Sequence, residues 1–504
     1  MEVRGGMDHA VLLKSLQLKR TFKKLAGSRP NIIFVLTDDQ SMGDLSCMGN
    51  KILRTPHLDS FHDQSLRFTD FQVGSTCAPT RSALMSGRHP FEVGVTHTVL
   101  QREKMNLDVI TLPTTLQDAG YTTGLFGKWH LGDEPQYLPQ SRGFDYVLMH
   151  GSGGIGQTRW GDFPINEENR YFDNTLLLNA DVVKTKGFCT DVFMKAALSW
   201  IKRQRDLKKP FFAYIPLNAP HGPWIAPESY KKRFLEMGYN HSTSGRYGMI
   251  ENIDDNMGLL MSKLEEWDLL ENTLVIFMTD NGSNKDLVRQ DGTTEPKFNA
   301  GLRGGKGSPH EGGTRVPSFW LWKGHIPAGV DVDALTSYID VYPTFTELVG
   351  GKLPENEFKP NGRSLIPLLE KPDSKWADRT LIRHRGRWGQ GRESKATREE
   401  SKYFRATVRT EKWRLVFDEV DGKPVTILSD IENDRGETTN VADKHPEVVK
   451  KLKKVFDEWW EYTKPFQINE GLGNIPPEKQ PFKEIYDNQL KANGSIPEWS
   501  PPGF

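Results

Sequence analysis

The chain has 504 residues, 36% hydrophobic and 26% charged, with 66 basic and 66 acidic side chains. That length exceeds one small core and implies a large domain joined to a smaller one. Zero net charge excludes broad attraction to nucleic acid or an anionic membrane, and a sparse, odd set of cysteines (Cys47, Cys77, Cys189) excludes a disulfide framework or a structural zinc spacing.

Residues 1–29 read as a basic N-terminal extension. Their longest apolar stretch, residues 10–13, is too short for a signal-peptide core, and no apolar run is long enough to span a membrane. On the sequence as given the expected compartment is cytoplasmic, or periplasmic or extracellular if a native export signal is missing. The first strand signal is residues 31–36 (NIIFVL), a continuous apolar run ending at Asp38-Asp39. Similar runs follow at 122–126, before Gly127-Lys128-Trp129-His130, and at 211–217, before Asn218-Ala219-Pro220-His221. A fourth, at 274–278, precedes Asp280-Asn281. Helical periodicity lies between them, over 112–119, 191–202 and 247–267, with Met249, Ile253, Met257, Leu260 and Leu264 on one stripe.

This alternation predicts an α/β fold: a large, mostly parallel sheet covered by helices on both faces, over residues 30–371. Residues 372–504 read as a smaller α+β subdomain and tail, with antiparallel strands near 403–408 and 413–417 and a helix over 446–462.

In an open parallel sheet, ligands bind beyond the carboxyl ends of the strands. Here each buried run delivers polar groups to that edge. Asp38, Asp39, Asp280 and the Asn281 amide form an all-oxygen set suited to Ca²⁺ or Mg²⁺; the plainer alternative is a solvated turn. Cys77 opens a short helix with Pro79 in its first turn and Gly87 at its stop. It is either an inert buried thiol or, with Arg81 one turn on, an activated group. Lys128 and His130 alternate around Trp129, so an extended segment points both to one side. His221 follows Pro220, and Lys306 lies in a glycine-rich loop. Together they make a site for a doubly charged tetrahedral anion, fit for sulfuryl or phosphoryl transfer.

The motifs are specific. CAPTR (77–81) followed by Leu84 and Ser86-Gly87-Arg88 resembles the signature of the type I sulfatases of the alkaline phosphatase superfamily. GYTTGLFGKWHLG (120–132) is similar to their second signature. The resemblance runs in order from about residue 31 to 369 and continues more weakly to ILSDIEND (427–434), where Ser429 and Arg435 replace the family's usual Tyr and Pro.

The resemblance implies that Cys77 is a precursor, oxidised by a formylglycine-generating enzyme to Cα-formylglycine, whose hydrate is the nucleophile. It implies that Asp38, Asp39, Asp280 and Asn281 hold one Ca²⁺, and that Arg81 and Lys128 stabilise the hydrate and its sulfated form. By the same resemblance Lys306 and His221 would bind the sulfate ester, one of them protonating the departing alcohol. His130 would, on that resemblance, remove a proton from the second hydroxyl and expel sulfate.

The expected activity is a sulfuric ester hydrolase, a carbohydrate O-sulfatase acting exo on sulfated sugars. Two alternatives stand beside it: a formylglycine-dependent phosphonate monoester hydrolase or phosphodiesterase, and a non-catalytic sulfated-glycan-binding relative. Lys128 and His130 count against the first. The retention of Cys77, His130 and His221 counts against the second. Substrate contacts are expected from residues 151–160, His310 and the basic loop 383–392. In that loop Arg385 and Arg387 are expected to clasp an acidic group, and Trp388 to stack on a sugar ring.

Overall fold

The apolar run at Asn31–Thr37 forms β1, and every residue in it is buried. The structure, a computed structural model, describes residues 24–164, 170–389 and 395–504. Chain order continues with β2 (Leu66–Phe68), α1 (Cys77–Ser86), β3 (Thr122–Lys128), β4 (Tyr146–His150), β5 (Thr175–Leu178), β6 (Asp181–Lys184) and α2 (Cys189–Asp206). Then come β7 (Phe211–Pro216), α3 (His241–Glu266), β8 (Thr273–Thr279), β9 (Ser318–Leu321) and β10 (Val330–Val332).

These strands form one ten-stranded sheet in the order β10-β2-β9-β8-β1-β7-β3-β4-β5-β6. The neighbours β8, β1, β7, β3 and β4 run parallel. Residues alternate across β1. Ile32, Phe34 and Leu36 enter one core with Leu84 and Phe345, while Ile33 and Val35 enter the other with Phe193 of α2 and Met249, Ile253 and Met257 of α3. Burial on both faces explains why these strands read as unbroken apolar runs. The stripe expected on α3 is buried throughout, through Leu260 and Leu264.

Beyond it, β11 (Leu381–His384), β12 (Ala406–Arg409), β13 (Trp413–Val420) and β14 (Lys423–Asp430) make a four-stranded antiparallel meander. Helix α4 (Pro446–Tyr462) covers it through Leu452, Phe456 and Trp460. The last segment leaves this small sheet. In α5 (Pro481–Asn493), Phe482 joins the large core, and the tail lies along edge strand β6. There Gln489 bonds both backbone groups of Val182 at 2.7 Å, Lys184 N donates to Pro497 O at 2.9 Å, and Trp499 N donates to Lys184 O at 2.8 Å.

Residues 1–23 of the expected N-terminal extension and residues 390–394 of the basic loop lie outside the described residues. Among the described residues, no helix is long and apolar enough to cross a membrane.

Candidate active site

Four consecutive parallel strands, β8, β1, β7 and β3, present their carboxyl ends side by side. Asp280-Asn281, Asp38-Asp39, the loop to His221, and Lys128 therefore meet at one edge. Lys128 Nζ donates to Asp38 Oδ2 at 2.6 Å, with both side chains fully buried. Arg81 donates to Asp280 Oδ2 from Nε (3.1 Å) and Nη2 (2.8 Å), and from Nη1 to Lys128 O at 2.9 Å. Lys306 Nζ donates to Asp39 Oδ2 at 2.7 Å, and His221 Nε2 stands 3.8 Å from the same oxygen. Each of the three carboxylates thus has its own permanent cation.

The ligand atoms of Asp38, Asp39 and Asp280 lie within 4.8 Å of one another. Asn281 turns its amide nitrogen to Asp39 Oδ1 (2.8 Å) and to Gly282 O (2.9 Å). That leaves Asn281 Oδ1 and Asp38 Oδ1 buried without a partner. Orphaned oxygens in an all-oxygen set are what a hard divalent cation satisfies. Asp39 reaches the cluster with φ +62, a left-handed conformation that a short acidic side chain tolerates.

Thr76, extended, leads into α1, and Gly87 with φ +66 ends it. Cys77 is the first helical residue and 3% exposed. Burial pushes its thiol up, but Lys128 and Lys306 outweigh that and leave it below its ordinary value. Burial likewise opposes ionisation of Asp38; Lys128, His221, Arg81 and Lys306 together hold it far below the usual carboxylate range. Thr80, which the motif contains but the sequence reading passed over, ties α1 to the β8 end by donating to Asp280 O at 2.6 Å.

His130 departs from expectation. Trp129 turns into the core, 1% exposed, but His130 adopts φ +64 instead of continuing the strand. Its Nε2 donates to Thr98 O at 2.8 Å, while Nδ1 is buried and unpartnered. Burial first, then Lys128, holds this imidazole neutral. The pairing makes Nδ1 a free lone pair. Nothing in the sequence marked Thr98 as its anchor.

The Lys306 loop is fixed from two sides. Gly307 N donates to Ser75 O at 2.7 Å, just before Cys77. A Cβ at Gly282 would sit 1.9 Å from Gly312 O, so only glycine lets the two loops meet. Glu311, fully buried, takes Arg409 Nε at 3.0 Å and Arg414 Nη1 at 2.6 Å from the small sheet, and Arg315 besides. His310 Nδ1 bonds Glu437 Oε1 at 2.8 Å inside this network and is 7% exposed.

The substrate loop divides. Arg385 stands beside the Lys306 loop, with Nε 3.5 Å from where a Cβ on Gly307 would be. Arg387 Nη2 donates to Thr98 Oγ1 at 2.8 Å. Trp388 corrects the expectation of a stacking platform. It is 4% exposed, its Nε1 donates to Glu470 Oε2 at 2.6 Å, and Arg102 covers its ring at 4.4 Å, so no face is left for a sugar. From residues 151–160, Ser152, Gly153 and Trp160 line a small cavity of about 30 Å³ together with His130, Glu103, Asp133 and Glu134.

The sulfatase family model matches residues 30–351. Human arylsulfatase A is 33% identical over 367 residues, covering 68% of this chain and 68% of that protein. N-acetylgalactosamine-6-sulfatase from Canis lupus familiaris is 30% identical over 376 residues, covering 71% and 69%. Among solved structures, Ps i-CgsB in complex with k-i-k-neocarrahexaose superposes with a TM-score of 0.75 at 26% identity, covering 92% of this chain and 99% of that one. With motif, fold and relatives in agreement, the chain belongs to the sulfatase family and is a sulfuric ester hydrolase.

Proposed function

We propose that this sulfatase removes sulfate from sulfated carbohydrates, acting at chain ends, after Cys77 has been converted to formylglycine by a formylglycine-generating enzyme. The observation that carries the reading is the buried Lys128–Asp38 pair beside Cys77, set among Arg81, Lys306 and His221. The relatives support a carbohydrate ester: one is named for N-acetylgalactosamine 6-sulfate, and one solved structure holds a neocarrahexaose.

Asp38, Asp39, Asp280 and Asn281 would hold Ca²⁺, and their unpartnered oxygens fit it. When bound, Ca²⁺ supplies charge neutralisation at a sulfate oxygen. Formylglycine at position 77 supplies an aldehyde hydrate as nucleophile.

The remaining roles belong to side chains now in place. Arg81 and Lys128 hold negative charge at position 77. Lys306 binds the ester's sulfate oxygens. His221 Nε2 hands a proton to the departing alcohol oxygen, its ring steadied by Nδ1 on Gly222 O at 2.7 Å. Burial disfavours a charged His221, and the incoming sulfate's negative charge restores it. His130, its Nε2 proton pinned on Thr98 O, accepts a proton at Nδ1 from the hydroxyl at position 77.

We assign residues 30–371 to the catalytic unit and 372–504 to the smaller one, whose tail returns to the large sheet. Protein co-expressed with the converting enzyme is assayed for sulfate release by ion chromatography on sulfated mono- and oligosaccharides, nitrophenyl sulfate and a phosphonate monoester. Release from a sugar sulfate is the expected result. Turnover of the phosphonate alone would refute it, and release only from aryl esters would remove the carbohydrate.

A further inference from the structure

Loop 96–102 and the turn Gly386–Trp388 meet behind His130 in a cluster of buried donors. Thr98 is the hinge between them: its carbonyl holds His130 Nε2, and its hydroxyl accepts from Arg387 Nη2. Arg387 is placed with care. Its backbone N donates to Thr96 O at 3.1 Å, and it takes φ +66, a conformation unfavourable to a long side chain. The residue before it must be glycine, since a Cβ on Gly386 would lie 1.9 Å from Thr96 O. The residue after it, Trp388, is locked by Glu470 and by Arg102 Nη1, which donates to its carbonyl at 2.8 Å.

The donors are in surplus. Among the described residues Arg387 pairs with no carboxylate, and its Nε is buried and unpartnered. Arg102, 4% exposed, has a buried, unpartnered Nη2. His97, 5% exposed, accepts Thr98 N (2.8 Å) and Val99 N (3.1 Å) at Nδ1. Its neutral ring therefore carries its proton on Nε2, which is also buried without a partner. Glu470, which reaches the cluster, is already divided among Thr96 Oγ1 (2.5 Å), Trp388 Nε1 (2.6 Å) and Arg102 Nε (3.0 Å). Among the described residues, three orphan donors and a guanidinium without a carboxylate partner are costly unless an anion arrives to use them.

We propose that His97, Arg102 and Arg387 form a second anion pocket beside the sulfate site, so that the preferred substrate is a sulfated sugar bearing a further carboxylate or sulfate. This rests on the carbohydrate reading above and narrows it. The electrostatics agree: His97 is held neutral by burial first, then by Arg387, Arg102 and Arg385. Arg387 reaches the sulfate site through Thr98, whose hydroxyl takes its Nη2 and whose carbonyl holds His130 Nε2.

The test compares a monosulfated neutral disaccharide with two counterparts, one carrying a uronate and one a second sulfate. Converted wild type, Arg387→Met and Arg387→Lys are assayed on each. Wild type should favour a dianionic sugar. In Arg387→Met the ratio of kcat/KM for that sugar over the neutral one should fall at least about tenfold, chiefly through KM. Arg387→Lys, which keeps the charge and loses the fork, should lie between. Which sugar responds separates carboxylate from sulfate. A ratio unchanged in Arg387→Met overturns the pocket, while sulfate release by wild type leaves the carbohydrate reading standing. If wild type cleaves none of the three, that reading fails, and inorganic sulfate judges the pocket by calorimetry. Two equivalents bound by wild type and one by Arg387→Met uphold it; equal stoichiometry, or an adventitious ion only, overturns it.

Discussion

Lys128 Nζ lies 2.6 Å from Asp38 Oδ2, and neither side chain reaches solvent. The pair joins the carboxyl ends of β1 and β3, two strands of the large sheet separated by β7. A buried ion pair of this kind contributes little net stability, because desolvation offsets attraction. On the proposed mechanism its value is to hold two opposite charges ready, one for a metal and one for an anion, beside Cys77.

Cys77→Ala should abolish sulfate release and leave the fold intact, since a smaller side chain at the first turn of α1 keeps the helix. Ion chromatography and a melting curve check both. Wild-type release by the variant would rule out covalent participation of position 77.

Calcium should raise the Tm of the wild-type protein, by about 2.7 kcal/mol of stability at a hundredfold excess over Kd. Asp280→Asn should lose that response together with activity. Elemental analysis of both proteins decides it: unchanged calcium content would remove Asp280 from the ligand set.

His221→Ala should slow sugar sulfates by about a hundredfold or more, and nitrophenyl sulfate far less, because nitrophenol leaves without protonation. Equal losses on the two substrates would exclude His221 as the acid.

Burial pushes Glu103, beside the active-site cavity, up to about 7, from an ordinary value of 4.5. The folded protein therefore keeps a proton that the unfolded chain releases between pH 4.5 and 7. Glu103 thus favours the folded state at low pH and loses that contribution as pH rises through 7. Glu103→Gln should be stabilised relative to wild type as pH goes from 5 to 8, by up to about 3 kcal/mol. Denaturant melts across that range test it; a pH-independent difference would contradict the burial argument.

Glu311→Ala would leave Arg315, Arg409 and Arg414 facing one another without their shared carboxylate. A loss of about 3–5 kcal/mol is expected. Urea denaturation measures it, and a loss below about 1 kcal/mol would show that the arginines find other acceptors.

The strands that carry the site were legible because each is a continuous apolar run stopped by polar residues, the pattern of a sheet buried on both faces. Helix α4 was equally plain, with Pro446 at its start and an amphipathic face toward the small sheet. The residues that meet at the sheet edge were found because each directly follows such a strand or opens a short motif. What sequence could not show were arrangements set by distant partners. Trp388 looked available because its neighbours are basic; Glu470, 82 positions away, buries it. His130 looked extended because strand β3 leads into it, but the bond to Thr98 favours a left-handed turn. Glu311 carried no signal, since two of its three arginines, Arg409 and Arg414, lie about a hundred residues on. Of the proposed second anion pocket, Arg387 was legible in the basic loop, but its meeting with His97 and Arg102 is made only by the fold.

The tail along β6 bears on how this protein behaves in solution. A ten-stranded sheet with a bare outer strand would offer its free N–H and C=O groups to any passing chain. Gln489, Pro497 and Trp499 occupy the outward-facing groups of Val182 and Lys184 and close that edge. Shortening the chain before residue 481 would bare that edge and open it to edge-to-edge pairing with another chain.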